Sequence, residues 1–504
     1  MHPPPEICFT NCLNLRKNMT LETTTYTLEK LVQQYRQYPA IISTDLQLTY
    51  EDFYQRITRI SELLKEIPLR ENDTITLVSD NSLTMVLFMW AAWLRKLVVT
   101  PLNPSFPPTQ LIAMMKNINS RQMFVGKNYL PQLREHVTGI YALKDFLYSG
   151  NDSHEFPATQ EELALDAPHP ATIIYTSGST GSPRAALHSL RNHFYSALGS
   201  NQNIQLHPGD RWLLSLPLYH VGGIAVLFRT LLAGAAVVIP PDRKQLYHWM
   251  TKFNVTHLSL VSTQLYRLMN DFNQAPPATL KAVLLGGSAI PASLIREGVD
   301  KALPLFTSYG STEMSSQICT TPPGASPEKL MTSGRLLPYR ELKISQNGEI
   351  LVRGKTLFLG YVKNRNIDPA RDEDGWFHTG DLGEMTEDGY LIVHGRKDNM
   401  FISGGENIQP EEIERVLLQW DGVTEAMVVP VRDVEFGFRP VAFIAVREDV
   451  VIDDTELRLF LESHLPRFKI PIRFFDFPET FRNKGLKISR KQLQSYAQEI
   501  VKQK

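Results

Sequence analysis

The chain has very few cysteines. Only Cys8, Cys12 and Cys319 occur in 504 residues, and their spacing supports neither a disulfide framework nor a zinc site. The composition therefore argues against a disulfide-stabilised secreted domain and against a zinc-binding module. A reducing cytoplasm is the simplest expected setting.

Long apolar runs are also missing. The longest run, Met85–Leu94, is about half as long as a bilayer-spanning helix requires, so it predicts a buried core helix. The N-terminal residues lack the apolar core of a signal peptide. We expect residues 1–26 to form a flexible extension, with Met19 as an alternative start.

Neither sign of charge is in excess. The 52 Lys and Arg residues nearly balance the 53 Asp and Glu residues, which leaves a formal charge of -1. No global field favours nucleic acid or an anionic membrane, so small-molecule chemistry is expected. A chain of 504 residues exceeds what one core supports, and two or more domains are expected. The sequence leaves the oligomeric state, including a homo-oligomer, open.

A turn rich in hydroxyl groups and glycine is the most informative feature present. It lies in Tyr175-Thr-Ser-Gly-Ser-Thr-Gly-Ser-Pro-Arg184, after the short apolar run Ala171–Tyr175, which predicts a buried strand. Glycine amides and neighbouring hydroxyls suit phosphate oxygens, and Arg184 adds a positive charge. The other candidate phosphate ligands are Thr176, Ser177, Gly178, Ser179, Thr180 and Gly181. The spacing fails the Gly-Lys-Ser/Thr pattern of kinases and GTPases, and an ordinary polar loop is the alternative.

Short β-runs alternate with helix-length amphipathic stretches, which predicts a layered α/β architecture. The predicted strands are Leu77–Ser79, Val98–Thr100, Met123–Val125, Leu213–Pro217, His257–Val261 and Ala282–Leu285. A boundary is expected at Gly395. It would separate a large N-terminal domain, residues 27–395, from a small α+β C-terminal domain, residues 396–504.

The order Thr-Ser-Gly-Ser-Thr-Gly-x-Pro, followed by a basic residue, resembles the phosphate loop of the acyl-adenylate-forming enzymes. These are the acyl-CoA synthetases, the luciferases and the adenylation domains of peptide synthetases. Arg184 replaces the family's usual lysine, which keeps the charge but changes the hydrogen-bond geometry. The resemblance implies ATP, Mg²⁺ and coenzyme A as ligands, and a C-terminal domain that is mobile.

Further segments match the same family. By resemblance, residues of Leu285–Ile290 and Ser308–Glu313 contact adenine and the α-phosphate, namely Gly286, Gly287, Ser288, Tyr309, Gly310 and Thr312. Glu313 would hold magnesium, which one carboxylate and several phosphates can bind. Asp381 and Arg396 would bind the ribose, and Asp398 lies where the family's C-terminal domain swivels. The alternative for Glu313 is a solvated loop acid without a ligand. The alternative for Asp381 and Arg396 is a surface ion pair.

Two C-terminal segments complete the resemblance. Attack of a carboxylate on the α-phosphate requires a cation at the reacting centre. Lys487 matches the family's catalytic lysine, although Leu486 separates it from the usual glycine, and Lys484 is the alternative. In coenzyme A ligases of the family, the loop matching Gly404 and Gly405 lines a tunnel for the thiol.

Arg229 bears on the acid substrate, because it ends an otherwise apolar stretch that follows Leu216–His220. A buried arginine needs an anion, either a protein acid or a ligand carboxylate. Arg229 therefore indicates an acid with a second carboxylate, unless the side chain reaches solvent from a helix end. His220 matches a family residue that gates access of the acid, with a structural interior histidine as the alternative. Ser262 and Thr263 would line the same pocket.

A closer resemblance runs from Thr27 to Leu493. Its segments are Leu213–Arg229, Thr263–Arg267, Leu280–Pro291, Phe436–Ala442 and Leu486–Arg490. They are similar to the ortho-succinylbenzoate–CoA ligases of menaquinone biosynthesis, which implies ATP-dependent ligation of an aromatic dicarboxylate to coenzyme A through an acyl-adenylate. The implied catalytic residues are Lys487, His220, Thr312 and Glu313. Two alternatives remain: another aryl or medium-chain acyl-CoA synthetase, and a nucleotide-binding regulator without catalysis.

Overall fold

The structure, a computed structural model, describes residues 26–135, 139–146, 162–176, 183–271, 275–287, 290–364, 366–403, 406–433, 436–447, 450, 453–478 and 490–502. These ranges form two large sheets, three smaller sheets and the helices between their strands. The predicted layered α/β class is confirmed. The predicted flexible extension, apart from Tyr26, and the alternative start at Met19 lie outside the described residues.

The larger sheet has nine strands among the described residues. Numbered in chain order and given in spatial order, they are β15 (Arg335–Leu336), β14 (Ser316–Thr320), β13 (Leu305–Ser311), β12 (Ala282–Leu285), β11 (His257–Leu260), β9 (Arg211–Leu213), β10 (Ala236–Val238), β1 (Pro39–Ile42) and β2 (Gln47–Thr49). The strands from β13 to β1 run parallel. The segments after β9, β11, β12 and β13 therefore meet at one edge, where open α/β sheets bind ligands.

The second large sheet has eight described strands. In spatial order they are β19 (Asn366–Asp368), β18 (Gly360–Lys363), β8 (Arg184–Ser189), β7 (Pro170–Thr176), β4 (Val98–Leu102), β3 (Thr74–Val78), β5 (Gln122–Val125) and β6 (Ile140–Ala142). The strands from β7 to β6 are parallel, whereas β8, β18 and β19 are antiparallel. The predicted strands of this region are confirmed as β3, β4 and β5.

Helices connect most of these strands. They are α1 (Leu28–Gln34), α2 (Tyr50–Leu64), α3 (Leu83–Leu94), α4 (Pro108–Asn117), α5 (Leu130–Arg134), α6 (Leu190–Asn203), α7 (Val221–Ala233), α8 (Leu246–Lys252), α9 (Ser262–Asp271), α10 (Ala292–Asp300), α11 (Pro327–Leu330), α12 (Pro410–Leu417), α13 (Asp454–His464) and α14 (Arg490–Lys502). Every residue of Met85–Leu94 in α3 is buried, as predicted for a core helix. Among the described residues, no helix combines the length and apolar character needed to cross a membrane.

The described residues also form three small sheets. They consist of β16 (Arg340–Ile344), β17 (Glu349–Gly354), β20 (Phe377–Met385) and β21 (Leu391–Arg396), then of β22 (Phe401–Ser403) and β23 (Glu406–Ile408), then of β24 (Val423–Asp433), β25 (Gly437–Val446) and β26 (Phe474–Asp476). Each hydrophobic cluster of the described residues lies either before Gly395 or after it. The domain boundary expected at Gly395 stays a prediction.

One predicted strand is wrong in its position. Leu213–Pro217 belongs to a strand only at Leu213, where β9 ends. Beyond it, Asn81 binds the backbone on both sides of Pro217: its Nδ2 donates to the Leu216 carbonyl at 2.8 Å, and its Oδ1 accepts from Leu218 N–H at 2.9 Å. Pro217 has no N–H to offer a sheet, so side-chain hydrogen bonds replace the ladder here.

Candidate active site

The expected phosphate loop connects two antiparallel strands. Strand β7 leads into it, buried over Ala171–Ile174 as predicted, and β8 leads away. Thr176 and Arg184 are directly paired across the two strands, so both ends of the loop are fixed. The predicted ligands Ser177, Gly178, Ser179, Thr180 and Gly181 lie outside the described residues.

Arg184 is exposed, and its guanidinium lies 3.4 Å from the centre of the Tyr361 ring. The Tyr361 hydroxyl donates a hydrogen bond of 2.6 Å to Oε1 of Glu313. Burial raises the pKa of Tyr361, and the negative charge of Glu313 raises it further, so the hydroxyl keeps its proton. The structure thus connects the end of the phosphate loop to the predicted magnesium ligand.

Glu313 fits the role predicted for it. Its Oε2 accepts no hydrogen bond from the described residues, and these residues contain no cluster of three or more His, Cys, Asp or Glu side chains that could hold a metal ion by themselves. Magnesium often takes one carboxylate and completes its oxygen shell with nucleotide phosphates and water. One carboxylate oxygen without a donor among the described residues, close to the hairpin of β7 and β8, suits that mode of binding.

The expected adenine and ribose residues come together at the ends of β12 and β13. Gly286 and Gly287 follow β12, and the Tyr309 hydroxyl donates to Oδ2 of Asp381 at 2.6 Å. Oδ1 of Asp381 accepts from Nη1 of Arg396 at 3.1 Å. Burial and the Asp381 carboxylate raise the pKa of Tyr309 well above its usual value. The predicted residue Ser288 lies outside the described residues.

Asp398, the predicted hinge residue, is exposed next to this group. Its Oδ2 is 3.1 Å from Nη2 of Arg396, whose Nη1 also donates to the Thr379 carbonyl at 2.6 Å. Burial lowers the pKa of Arg396, but Asp381 and Asp398 outweigh that effect and raise it. The backbone carbonyl of Arg396 accepts a hydrogen bond of 2.9 Å from Gln409, at the start of α12. Asp381, Arg396 and Asp398 therefore form one connected cluster of charged side chains.

The turn that carries Thr312 rests on a buried histidine. The Nε2 of His188 donates to the Thr312 carbonyl at 2.7 Å. Burial lowers the pKa of His188, so its ring is neutral at pH 7 with the proton on Nε2. The strand before this turn needs Gly310, because a Cβ there would lie 2.1 Å from the Ser316 carbonyl oxygen.

Arg229 is buried in α7 with 1% of its surface exposed. Its Nη2 donates to Oε1 of Gln317 at 2.6 Å and to Oγ of Ser316 at 3.2 Å. Its Nε is buried and has no hydrogen-bond partner among the described residues, and none of their carboxylates pairs with it. Burial lowers its pKa to about 9, which leaves the side chain charged at pH 7. The alternative that Arg229 reaches solvent from the helix end is wrong.

Backbone strain accompanies this contact. Ser316 has a φ of 118°, a value that residues with a side chain rarely adopt. The strained residue stands at the start of β14, beside a register shift in its pairing with β13. Such strain persists where the surroundings fix a conformation, and it concentrates at functional sites. Here it places the Ser316 hydroxyl and the Gln317 amide toward Arg229.

His220, Ser262 and Thr263 follow parallel strands of the nine-stranded sheet. His220 precedes the first residue of α7 and is exposed, so the alternative of an interior histidine is wrong. Ser262 and Thr263 begin α9 directly after β11, and both are half-buried. They therefore stand at the same sheet edge as Gly286 and Tyr309.

The predicted lysine and tunnel segments are described only at their borders. Lys487, Lys484, Gly404 and Gly405 lie outside the described residues. Arg490 begins α14, three residues after Lys487, and pairs with Glu414 of α12, with 3.0 Å between Nη2 and Oε2.

Sequence reasoning missed Tyr361, Gln317, Arg340 and His188. Gln317 follows the matched motif Ser308–Glu313 closely enough to have been considered, whereas Tyr361 lies 48 positions from Glu313. Nothing local distinguishes Arg340 or His188 from other polar residues.

The sequence and the fold match known proteins over nearly the whole chain. The family model described as AMP-binding enzyme matches residues 28–362, and the AMP-binding enzyme C-terminal domain matches residues 412–484. The 2-succinylbenzoate--CoA ligase of Bacillus pumilus is 33% identical over 467 residues, which cover 90% of this chain and 94% of that protein.

Two solved structures of the Bacillus subtilis o-succinylbenzoate CoA synthetase (MenE) are also similar. The complex with the acyl-adenylate intermediate OSB-AMP is 31% identical, covers 93% of this chain and 97% of that chain, and gives a TM-score of 0.82. The complex with ATP and magnesium ion is 30% identical, covers 93% and 98%, and also gives 0.82. The chain belongs to the AMP-binding enzyme family and, within it, to the 2-succinylbenzoate–CoA ligases.

Proposed function

We propose that this chain ligates 2-succinylbenzoate to coenzyme A in menaquinone biosynthesis, with ATP converted to AMP and pyrophosphate. The observation that carries the proposal is Arg229, a buried cation. Among the described residues its guanidinium donates only to a neutral amide and a hydroxyl, and it lies 5.2 Å from the centre of the Trp212 ring. A cytoplasmic location belongs to the proposal, because ATP and coenzyme A are the co-substrates.

In the first half-reaction, an oxygen of the succinyl carboxylate attacks the α-phosphorus of ATP and pyrophosphate leaves. Thr176, Arg184 and the loop between them would hold the phosphates. Lys487 would stabilise the negative charge that develops on the phosphoryl oxygens. His220, at the sheet edge, would admit the acid.

The nucleoside would lie where β12, β13 and β20 bring their residues together. Tyr309 would flank adenine, and Asp381 with Arg396 would hold the ribose. Thr312 would contact the α-phosphate, supported from below by His188. Magnesium, when bound, would be held by Glu313 and would offset the charge of the phosphates.

In the second half-reaction, the thiol sulfur of coenzyme A attacks the acyl carbonyl and AMP leaves. Rotation of the C-terminal domain about Asp398 would replace Lys487 with the loop of Gly404 and Gly405. Adenylation thus provides a good leaving group before the thiol attacks. The domain boundary at residues 395 and 396 is part of this proposal.

Selection of the acid would rest on charge. The aromatic carboxylate of 2-succinylbenzoate would be attracted to Arg229, and Ser262 and Thr263 would line the pocket. A charge-assisted contact in a site without bulk water contributes about 1.5–3 kcal/mol. An aliphatic acyl chain gives Arg229 no anion, so fatty acids should bind poorly.

Pyrophosphate exchange across matched acids tests the proposal. We expect 2-succinylbenzoate to drive ATP–pyrophosphate exchange at least about tenfold better than 4-oxo-4-phenylbutanoate, which lacks only the aromatic carboxylate. Equal rates, or faster exchange with benzoate or octanoate, would assign the chain to another acyl-CoA synthetase. Failure to form AMP with every acid would leave the nucleotide-binding regulator.

A second experiment divides the two half-reactions. Lys487→Ala should lose adenylation, since the cation at the phosphoryl oxygens is gone, but should still transfer the acyl group from supplied acyl-adenylate to coenzyme A. Lys484→Ala is the matched control and should retain both steps. Equal loss of both half-reactions in Lys487→Ala would refute the proposed role of Lys487.

A further inference from the structure

Tyr361 spans the gap between the two large sheets at the phosphate site. It lies on β18 of the eight-stranded sheet, opposite Ala186 of β8. Glu313 lies just beyond β13 of the nine-stranded sheet. The tyrosine side chain is buried and therefore connects side chains that belong to different layers of the domain.

Both ends of the Tyr361 side chain are engaged at once. Its hydroxyl donates to Glu313 at 2.6 Å, and the guanidinium of Arg184 lies 3.4 Å from the centre of its ring. The ring of Phe358 packs edge-on against it at 4.8 Å. Phe358 also donates its backbone N–H to the Glu313 carbonyl at 2.8 Å. The ring and the carboxylate are therefore fixed relative to each other.

The hydrogen bond has a consequence for Glu313. A carboxylate without a donor rotates about its terminal bond, whereas a donor on one oxygen selects one orientation. Here Oε1 accepts from Tyr361, and Oε2 accepts from none of the described residues. One oxygen is held so that the other points in a single direction, which is how a supporting residue prepares a metal ligand.

The ring contact has a consequence for Arg184. A guanidinium readily forms a bidentate pair with a carboxylate, and such a pair would occupy the oxygens that a metal ion needs. Among the described residues, no ion pair joins Arg184 to Glu313; instead the cation rests on the face of the tyrosine ring. The ring keeps the positive charge near the phosphate loop and away from the carboxylate.

We propose that Tyr361 is a positioning residue for adenylation: its hydroxyl orients Glu313 toward nucleotide-bound magnesium, and its ring separates Glu313 from Arg184. The inference rests on the proposed binding of ATP and magnesium. It does not depend on which acid is ligated. The comparison of acids can therefore refute the proposed substrate without refuting the role of Tyr361, and the experiment below can refute that role without refuting the substrate.

The experiment measures nucleotide binding without turnover. Binding of a non-hydrolysable ATP analogue is titrated with Mg²⁺ by calorimetry, and binding of AMP without metal is the internal reference. Tyr361→Phe keeps the ring and removes the donor. We expect the Mg²⁺ concentration for half-maximal analogue binding to rise about fivefold to twentyfold, with AMP affinity unchanged within twofold. Tyr195→Phe, which removes a tyrosine hydroxyl that accepts from Lys355, is the matched control and should match the wild type.

The separating role of the ring is tested by a double variant. Tyr361→Leu frees Arg184 to pair with Glu313, so its Mg²⁺ requirement should rise further than that of Tyr361→Phe. The Arg184→Ala protein, which already lacks the proposed phosphate contact of Arg184, is the reference for the double variant. In that background Tyr361→Leu should raise the Mg²⁺ requirement only by about the factor that Tyr361→Phe causes in the wild type. A factor as large as that of Tyr361→Leu in the wild type would refute the separating role.

Two outcomes would overturn the orienting role. One is a Tyr361→Phe protein with the Mg²⁺ dependence of the wild type. The other is a Tyr361→Phe protein that loses AMP affinity by the same factor as analogue affinity, which would mark a general structural defect. Thermal unfolding of each variant establishes that the folded protein is being compared.

Discussion

Two buried arginines, Arg229 and Arg340, both donate hydrogen bonds to Gln317, but their remaining contacts differ. Arg340 donates from Nε to the Gln317 carbonyl at 2.6 Å, from Nη1 to the Pro338 carbonyl at 2.6 Å, and from Nη2 to the Ser196 carbonyl at 3.1 Å. Within the described part of the chain, Arg229 donates only from Nη2, to the side chains of Ser316 and Gln317. Burial lowers the pKa of each arginine to about 9.

The difference separates a structural arginine from one available to a ligand. Arg340 satisfies backbone carbonyls of three separate segments, so it holds α6, β14 and the approach to β16 together. Arg229 keeps a buried donor without a partner among the described residues. A buried cation that lacks an anion destabilises the free protein, and a ligand carboxylate relieves that penalty.

The largest effect is expected when Arg340 is replaced, and it is an effect on the free energy of unfolding. Arg340→Met should lower the free energy of unfolding by about 3 kcal/mol, because several buried carbonyl oxygens lose their donor. Urea unfolding followed by circular dichroism measures it. Arg340→Lys, which keeps a cation but offers fewer fixed donors, should lie between Met and the wild type. An Arg340→Met protein as stable as the wild type would erase the contrast between the two arginines.

The next largest effect is expected when Arg229 is replaced, and it is a change in the preference between acid substrates. Arg229→Met should leave the free energy of unfolding unchanged or raise it by about 1 kcal/mol, because it removes a buried charge that lacks an anion. Its kcat/KM for 2-succinylbenzoate should fall about 100-fold, as expected for loss of a contact between buried charges. The value for 4-oxo-4-phenylbutanoate should change less than threefold. Steady-state kinetics with both acids measures the split, and a parallel loss would make Arg229 a structural residue like Arg340.

The two arginines also illustrate which features of the fold and the site could be predicted from the sequence and which could not. The strand Ala171–Tyr175 was predictable from its own apolar residues, and Arg229 from the apolar stretch that it ends. The roles of Arg340 and Tyr361 depend on distant partners: Ser196 is 144 positions from Arg340, and Glu313 is 48 positions from Tyr361. The end of β9 was misplaced because Asn81, which replaces the ladder there, lies more than 130 positions away. Long-range polar contacts leave no local periodicity to detect.

A smaller effect is expected when Arg229 receives an acid of its own. Gln317→Glu changes little in shape but gives the guanidinium an internal carboxylate. The kcat/KM for 2-succinylbenzoate should fall about tenfold, since the ligand now competes with a fixed anion, and stability should rise by about 1 kcal/mol. Gln317→Met is the control without charge. A Gln317→Glu enzyme with unchanged preference for the dicarboxylate would mean that the charge of Arg229 does not select the acid.

The smallest expected effect is an absence of pH dependence in acid selection. Because the pKa of Arg229 is lowered only to about 9, its guanidinium stays charged between pH 6.5 and 8. The ratio of kcat/KM for 2-succinylbenzoate to that for 4-oxo-4-phenylbutanoate should therefore stay constant within about twofold across this range. Both acids carry the same reacting carboxylate, so the ratio cancels titrations that affect the chemistry alone. If the ratio instead falls as the pH rises through about 6.5, the usual pKa of histidine, the charge that selects the acid belongs to His220 and not to Arg229.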